Sequence, residues 1–303
     1  MSAPVPHRRS GLALFALLLG ALGIASSGIF VRWSETGPTA TAFWRGAFAL
    51  PWLALWAVLE SPGRGWQRAA ALWRLRDVRL LWAGFFFAGD LALWHWSLLL
   101  TSIAASTLEA NLAPMFVTII AWLAWRERPQ ALFVLALLLA LAGMVLMVSP
   151  KLTGRGGGLT GDLLGVGTAV FYASYLAVVS RLRARLSTGV VMWWTTVVFI
   201  VLLLPLALTQ KFVPDTSRGW LILIGLAMSA QFIGQGLIAY ALAHLPATFG
   251  SVGLYAQPLL SALYARVLLG ERLTIVQVAG AVIVLGAIAL ARAAQQPLAQ
   301  DRA

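Results

Sequence analysis

Four ionisable side chains stand inside long apolar runs: Arg45, Asp90, His95 and Glu109. A charge at the centre of a membrane helix costs at least ~2.5–3.5 kcal/mol on insertion scales, so such residues are functional candidates by default. At ~1.5 Å rise per residue, Arg45, His95 and Glu109 each lie on the order of 10 Å from one end of their runs, and Asp90 lies near the middle. Arg45 and Glu109, at similar depth, are candidates for an ion pair, which serves equally as structural glue or as a substrate contact. Asp90 has no cation at its own depth in this reading. It is the stronger candidate for binding a substrate ammonium or for carrying a proton. Trp94 and Ser97 share its helix face. His95 lies off that face, where a lone histidine reads as interfacial or hydrogen-bonded.

Uncharged polar groups in other runs are the candidates to face Asp90. Gln231 and Gln235 are four apart and share one helix face; Ser251, Tyr255 and Pro258 share another. Asn111 stands three residues before Pro114, where the missing proline N–H frees a carbonyl. Tyr172 and Tyr175, with Ser26 and Ser27, complete the set. A cavity of amides, hydroxyls and aromatic rings suits a zwitterion with a variable side chain. Hydrogen bonding between helices is the alternative use of each residue.

Other chemistries find little support. The chain has no cysteine, and its three histidines, His7, His95 and His244, are scattered. No metal cluster and no cofactor are therefore expected. Asp90 and His95 have no second carboxylate near enough to form a catalytic dyad, so the protein is not expected to be an enzyme. No phosphate-binding glycine loop followed by Lys and Ser or Thr occurs, which argues against ATP drive by this chain alone.

These residues are positioned by a hydrocarbon scaffold. The chain is 60% hydrophobic and 11% charged, with mean hydropathy +0.86, against about a quarter charged in soluble domains. Apolar runs near the ~20 residues needed to cross a bilayer recur throughout, and unbroken runs specify helices rather than a barrel. Ten spans are read, at about residues 12–31, 38–59, 80–100, 103–125, 130–149, 162–180, 189–209, 219–243, 247–268 and 275–292. Turns at Thr101-Ser102 and Arg126-Glu127-Arg128-Pro129 separate neighbours. Trp33, Trp52, Trp66, Trp73, Trp82, Trp193 and Trp220 fall near span ends as an interface belt, while Trp94 and Trp96 are deeper and are candidates to line the path. The net charge of +12 does not imply nucleic acid, because the arginines sit in short loops where the membrane selects for them. With the N-terminus inside, fourteen Lys and Arg lie on the inner face and seven on the outer. This predicts cytoplasmic termini in a bacterial inner membrane.

The runs form a repeat. One offset maps Pro114 onto Pro258, Glu127-Arg128 onto Glu271-Arg272 and Trp96 onto Tyr240. The expected units are residues 12–148 and 162–292, joined by a linker at 149–161 with Gly156-Gly157-Gly158 and followed by a polar tail, 293–303. Five spans per unit place the halves in opposite directions, an inverted-topology arrangement that serves alternating access. Pro114 and Pro258 are then symmetry-related breaks and candidate hinges. The counterparts of Asp90 and Glu109 are Gly234 and Gly253, so the charge is one-sided. Gly280, Gly286 and Ala287, with Ala142-Gly143, permit close helix contact within the chain or between protomers.

The doubled proline-centred span with its Glu-Arg turn, Ala25-Ser26-Ser27-Gly28-Ile29-Phe30, and Phe43-Trp44-Arg45-Gly46-Ala47 resemble the drug/metabolite transporter superfamily in its ten-span EamA form. Within it, the chain looks most like the YddG-type amino-acid exporter branch. The resemblance implies an all-α polytopic membrane protein with a central cavity lined by spans 1, 3, 4, 6, 8 and 9, and with spans 5 and 10 peripheral. It implies secondary export of small metabolites, amino acids including aromatic ones above all, with lipid and a small molecule as partners and protons as a further candidate. Members of the family also move nucleotide sugars, drugs, purines and cofactors.

Overall fold

The computed structural model describes residues 7–61, 77–100, 106, 109–149, 159–269 and 274–295. The basic loop 64–76 with Trp66 and Trp73, the Thr101-Ser102 turn, residues 150–158 of the linker, Glu271-Arg272 and the tail beyond Gln295 lie outside the described residues. In chain order the helices are α1 (His7–Ala25), α2 (Ser27–Trp33), α3 (Pro38–Glu60), α4 (Arg79–Leu100), α5 (Ala113–Trp125), α6 (Ala131–Val148), α7 (Leu159–Arg183), α8 (Thr188–Ala207) and α9 (Ser217–Leu226). A π-helical stretch, Ala227–Gln235, leads into α10 (Gly236–Ala241), followed by α11 (Ala247–Gly253), α12 (Ala256–Leu269) and α13 (Ile275–Gln295). Every regular element among the described residues is helical, as the unbroken apolar runs require. Among the described residues, six stretches are long and apolar enough to cross a membrane: Gly11–Trp33, Pro38–Glu60, Leu159–Arg183, Thr188–Ala207, Ser217–Ala241 and Ile275–Ala294.

Among the described residues three runs are interrupted, each beside a residue that explains it. Between α1 and α2, Ser26 Oγ donates to the Gly23 carbonyl at 2.7 Å, a local bond that competes with the helix ladder. Before α5 the chain turns at Asn111-Leu112, with the Leu112 N–H on the Glu109 carbonyl at 2.9 Å; Pro114 cannot donate back one turn. Between α11 and α12 it turns at Leu254-Tyr255, just ahead of Pro258. The two prolines thus follow matching breaks. Helix α5 ends at Arg126, which adopts a left-handed φ of 57°, a common way to stop a helix.

The packing repeats itself. Helix α4 lies along α7, and α1 lies along the π stretch and α10; α5 packs on α7, and α12 on α1; α4 meets α8, and α3 meets the π stretch. In each pair of contacts, advancing every helix by five predicted spans, cyclically, turns the first into the second. The same exchange leaves α3–α8, α6–α13 and α5–α11 as they are. Helices α6 and α13 have their own apolar cluster, apart from the central one. A Cβ at Gly143 would lie 2.8 Å from the Gly280 carbonyl oxygen, so this close contact is within the chain. Gly286 has nothing within 4 Å and faces outward.

The antiparallel α3–α8 pair is clasped at both ends. At one end the Gly189 N–H donates to Glu60 Oε2 at 2.7 Å. At the other the Thr39 N–H donates to Gln210 Oε1 at 2.9 Å, and Gln210 Nε2 donates to Thr39 Oγ1 at 3.1 Å. That second end carries further ties: Gly37 N–H to the Lys211 carbonyl at 2.9 Å, and Trp44 Nε1 to the Phe212 carbonyl at 2.7 Å. Glu35 accepts from the Asp215 and Thr216 N–H groups at 2.8 and 3.0 Å and from the Thr216 hydroxyl. Trp33, Trp52 and Trp82 are exposed, as an interface belt requires, whereas Trp220 is half-buried against Trp44 and Phe48.

Candidate functional site

A cavity of about 180 Å³ lies where the interrupted helices converge. Its walls come from the α1–α2 break, α3, α4, the turn before α5, α7, the end of the π stretch, and both sides of the α11–α12 break. No described residue of α6, α8 or α13 lines it. The expected set of spans is therefore present, and α3 joins it through Arg45.

Ten sequence-predicted residues line this cavity: Ser27, Arg45, Asp90, Trp94, Asn111, Pro114, Tyr172, Gln235, Ser251 and Pro258. Arg45 is 5% exposed and is held from behind. Its Nε donates to Gln231 Oε1 at 3.1 Å, and Gln231 Nε2 donates to Thr196 Oγ1 at 3.1 Å. Its guanidinium carbon sits 5.8 Å from the centroid of the Phe87 ring. Asp90, 9% exposed, is the charge that Arg45 faces across the cavity, without an ion pair closing between them. Phe87 stacks on Tyr175 at 4.6 Å, and Tyr175 on Tyr172 at 5.9 Å, a ladder that fixes the aromatic wall.

Several expectations need correction. The Arg45–Glu109 ion pair does not form. Arg45 turns to Gln231 and Asp90, while Glu109 packs against Gly165 and meets Asp162 at the start of α7. Asp90 does have a cation nearby, because Arg45 reaches it from α3. Gln231 supports Arg45 and does not line the cavity. Ser26 is spent on Gly23 and lies 3.0 Å from Ser229 Oγ. Tyr175 sits behind the wall with its hydroxyl 3.7 Å from Met192 Sδ. Tyr255 is fully buried in the α6–α13 cluster, turned away because the chain breaks at its own position. Trp96 is 40% exposed and faces outward, unlike Trp94. His95 is buried with Nδ1 on the Leu91 carbonyl, outside the cavity lining.

Phe87, Thr168 and Gln257 line the cavity without having been singled out. Phe87 and Gln257 carried a readable signal: Phe87 is three residues before Asp90 and shares its face, and Gln257 directly precedes the second proline. Thr168 returns its hydroxyl to the Leu164 carbonyl at 3.1 Å, a bond that spacing alone does not reveal.

The EamA-like transporter family model matches the chain twice, at residues 11–149 and 159–293. The pseudopaline exporter CntI of Pseudomonas aeruginosa, in strains UCBPP-PA14 and PAO1, is 27% identical over 228 residues, covering 75% of this chain and 79% of the relative. A solved crystal structure superposes with a TM-score of 0.77 at 20% identity, covering 97% of this chain and 98% of the other, which extends the likeness of fold to nearly the whole length. The chain belongs to the EamA-like transporter family.

Proposed function

We propose that this protein is a secondary transporter that exports small zwitterionic metabolites, amino acids including aromatic ones, by alternating access. The observation that carries the reading is that Arg45 and Asp90, opposite in charge, line one cavity at a separation no direct ion pair closes. A carboxylate on the guanidinium and an ammonium on Asp90 would each gain a charge-assisted hydrogen bond in a low-dielectric site. The volume of about 180 Å³ compares with the ~150 Å³ of an engineered apolar cavity that admits benzene, a scale suited to a single amino acid. Phe87, Trp94 and Tyr172 offer aromatic surface to its side chain.

The packing that repeats under a five-span exchange supports ten spans in two inverted repeats. The matched breaks before Pro114 and Pro258 are then hinges at symmetry-related depths. The bias of Lys and Arg supports cytoplasmic termini in an inner membrane. A relative named as an exporter supports the outward direction. Counterflow in proteoliposomes tests the reading: a labelled amino acid should accumulate against its unlabelled form, and failure of every amino acid to exchange rejects it. Asp90→Asn tests proton coupling in the same vesicles, since an unchanged response to a pH gradient excludes that carboxylate as the carrier.

A further inference from the structure

Two buried neutral oxygens without a hydrogen-bond partner belong to residues that line the cavity with Asp90. Gln235 is 2% exposed, and its Oε1 has no hydrogen-bond partner. The Tyr172 hydroxyl is buried and equally without one, although the amides of Gln235 and Gln257 are its neighbours. No described residue hydrogen-bonds to the Asp90 carboxylate. A buried polar atom left unsatisfied is costly and calls for an explanation. Here the three residues line one cavity, and the backbone holds them there. Gln235 closes the π-helical stretch, a form of helix that recurs at functional sites, and the Tyr172 ring is fixed by its stack on Tyr175. The nearest cation, Arg45, is already turned to Gln231.

An ammonium has three N–H donors, a secondary ammonium two, a hydroxyl one and a quaternary ammonium none. Building on the amino-acid reading above, we propose that Asp90, Gln235 Oε1 and Tyr172 Oη form a three-acceptor subsite for the primary ammonium of the substrate. The site then selects by the number of N–H donors as well as by positive charge. A substrate lacking one donor leaves one buried oxygen as unsatisfied as before.

The test is competition in amino-acid counterflow with the wild-type protein. Competitors are the transported amino acid, its N-methyl and N,N,N-trimethyl forms, and the 2-hydroxy acid of the same side chain. Competition should weaken stepwise with each lost N–H, with the trimethyl form at least about tenfold weaker than the parent although its charge is kept. Gln235→Leu, which removes the acceptor without enlarging the site, should weaken the parent about tenfold and the N-methyl form far less; Tyr172→Phe should act likewise. Equal competition by parent and trimethyl forms in the wild type overturns the subsite and leaves the amino-acid reading standing. So does an equal loss for parent and N-methyl forms in folded Gln235→Leu protein. If no amino acid exchanges at all, the transport reading fails and the subsite falls with it.

Discussion

Glu60 and Gly189 are joined by a 2.7 Å hydrogen bond from the glycine N–H to the carboxylate, at the point where α3 ends and α8 begins. The far end of the same helix pair has the reciprocal bond, Thr39 N–H to Gln210 at 2.9 Å. Each helix therefore ends in a side chain that caps the start of the other. The first backbone N–H groups of a helix have no partner within it, and here the antiparallel neighbour supplies one. The antiparallel pair is thereby held in register at both ends.

The clasps should contribute separately. Glu60→Ala and Gln210→Ala should each lower stability by about 1 kcal/mol, the usual cost of a lost cap. The effects should add in the double variant because the sites lie at opposite ends of the bundle. Melting of the purified protein in detergent measures this; unchanged melting in both single variants would show that the caps hold nothing.

The glycine of that clasp is also a contact. A Cβ at Gly189 would lie 2.4 Å from the backbone N and Cα of Ala57 in α3. Backbone cannot step aside as a flexible side chain does, so Gly189→Ala should cost at least the ~1–3 kcal/mol of ordinary overpacking. Gly286→Ala, with open space around it inside α13, should hold or slightly raise the melting temperature, because alanine is the better helix former. Equal stability of the two variants would contradict this packing.

Which parts of this molecule could be read from residues follows from how local each determinant is. Apolar runs, the prolines and the repeat are one-dimensional signals, and they located the helices, the matched breaks and ten of the cavity residues. Partners across helices were harder, because depth along a span does not give direction around it. Arg45 and Glu109 matched in depth and face different neighbours. Tyr255 was placed by a four-residue face count from Ser251, and that count fails where the helix breaks at Leu254-Tyr255, so Gln257 takes the cavity position. The one-sided charge has a packing reason. Gly234, counterpart of Asp90, lets α1 approach so closely that a Cβ there would lie 2.8 Å from an Ile24 side-chain carbon and 3.2 Å from its backbone N. The segment before α5 sets a large Glu109 on Gly165 of α7, while α1 sets Leu17 on Gly253 of α11, the large and small partners exchanged.

Acid should loosen the end of the bundle that carries Glu35. The Thr216 hydroxyl, aided by the Thr216 and Asp215 N–H groups, holds the Glu35 carboxyl below its ordinary value of 4.5. A folded-state value below the unfolded one means that its contribution is complete above about pH 4.5 and is lost as pH falls through the lower folded value. Asp77, held low by Arg79, acts in the same direction, so the comparison must isolate Glu35. Melting of wild type should decline more steeply between about pH 5 and pH 3 than that of Glu35→Gln. Parallel curves would remove Glu35 from the acid response.

Transport should divide the residues by their place at the cavity. Arg45→Ala should lower kcat/KM for amino-acid counterflow by about a hundredfold or more, in line with the 2–5 kcal/mol cost of truncating a buried charged contact. Arg45→Lys should recover only part of it, because an ammonium lacks the two-pronged fork of guanidinium. Gln231→Leu leaves Arg45 in place and removes the acceptor that orients its Nε. It should cost less than Arg45→Ala, about tenfold, and should raise KM more than it lowers kcat. Glu109→Gln, which alters a group outside the cavity lining, should stay within about twofold of wild type. If Arg45 serves only to hold helices together, Arg45→Ala protein that still purifies folded will transport as wild type does, and the zwitterion reading loses its anion-binding half.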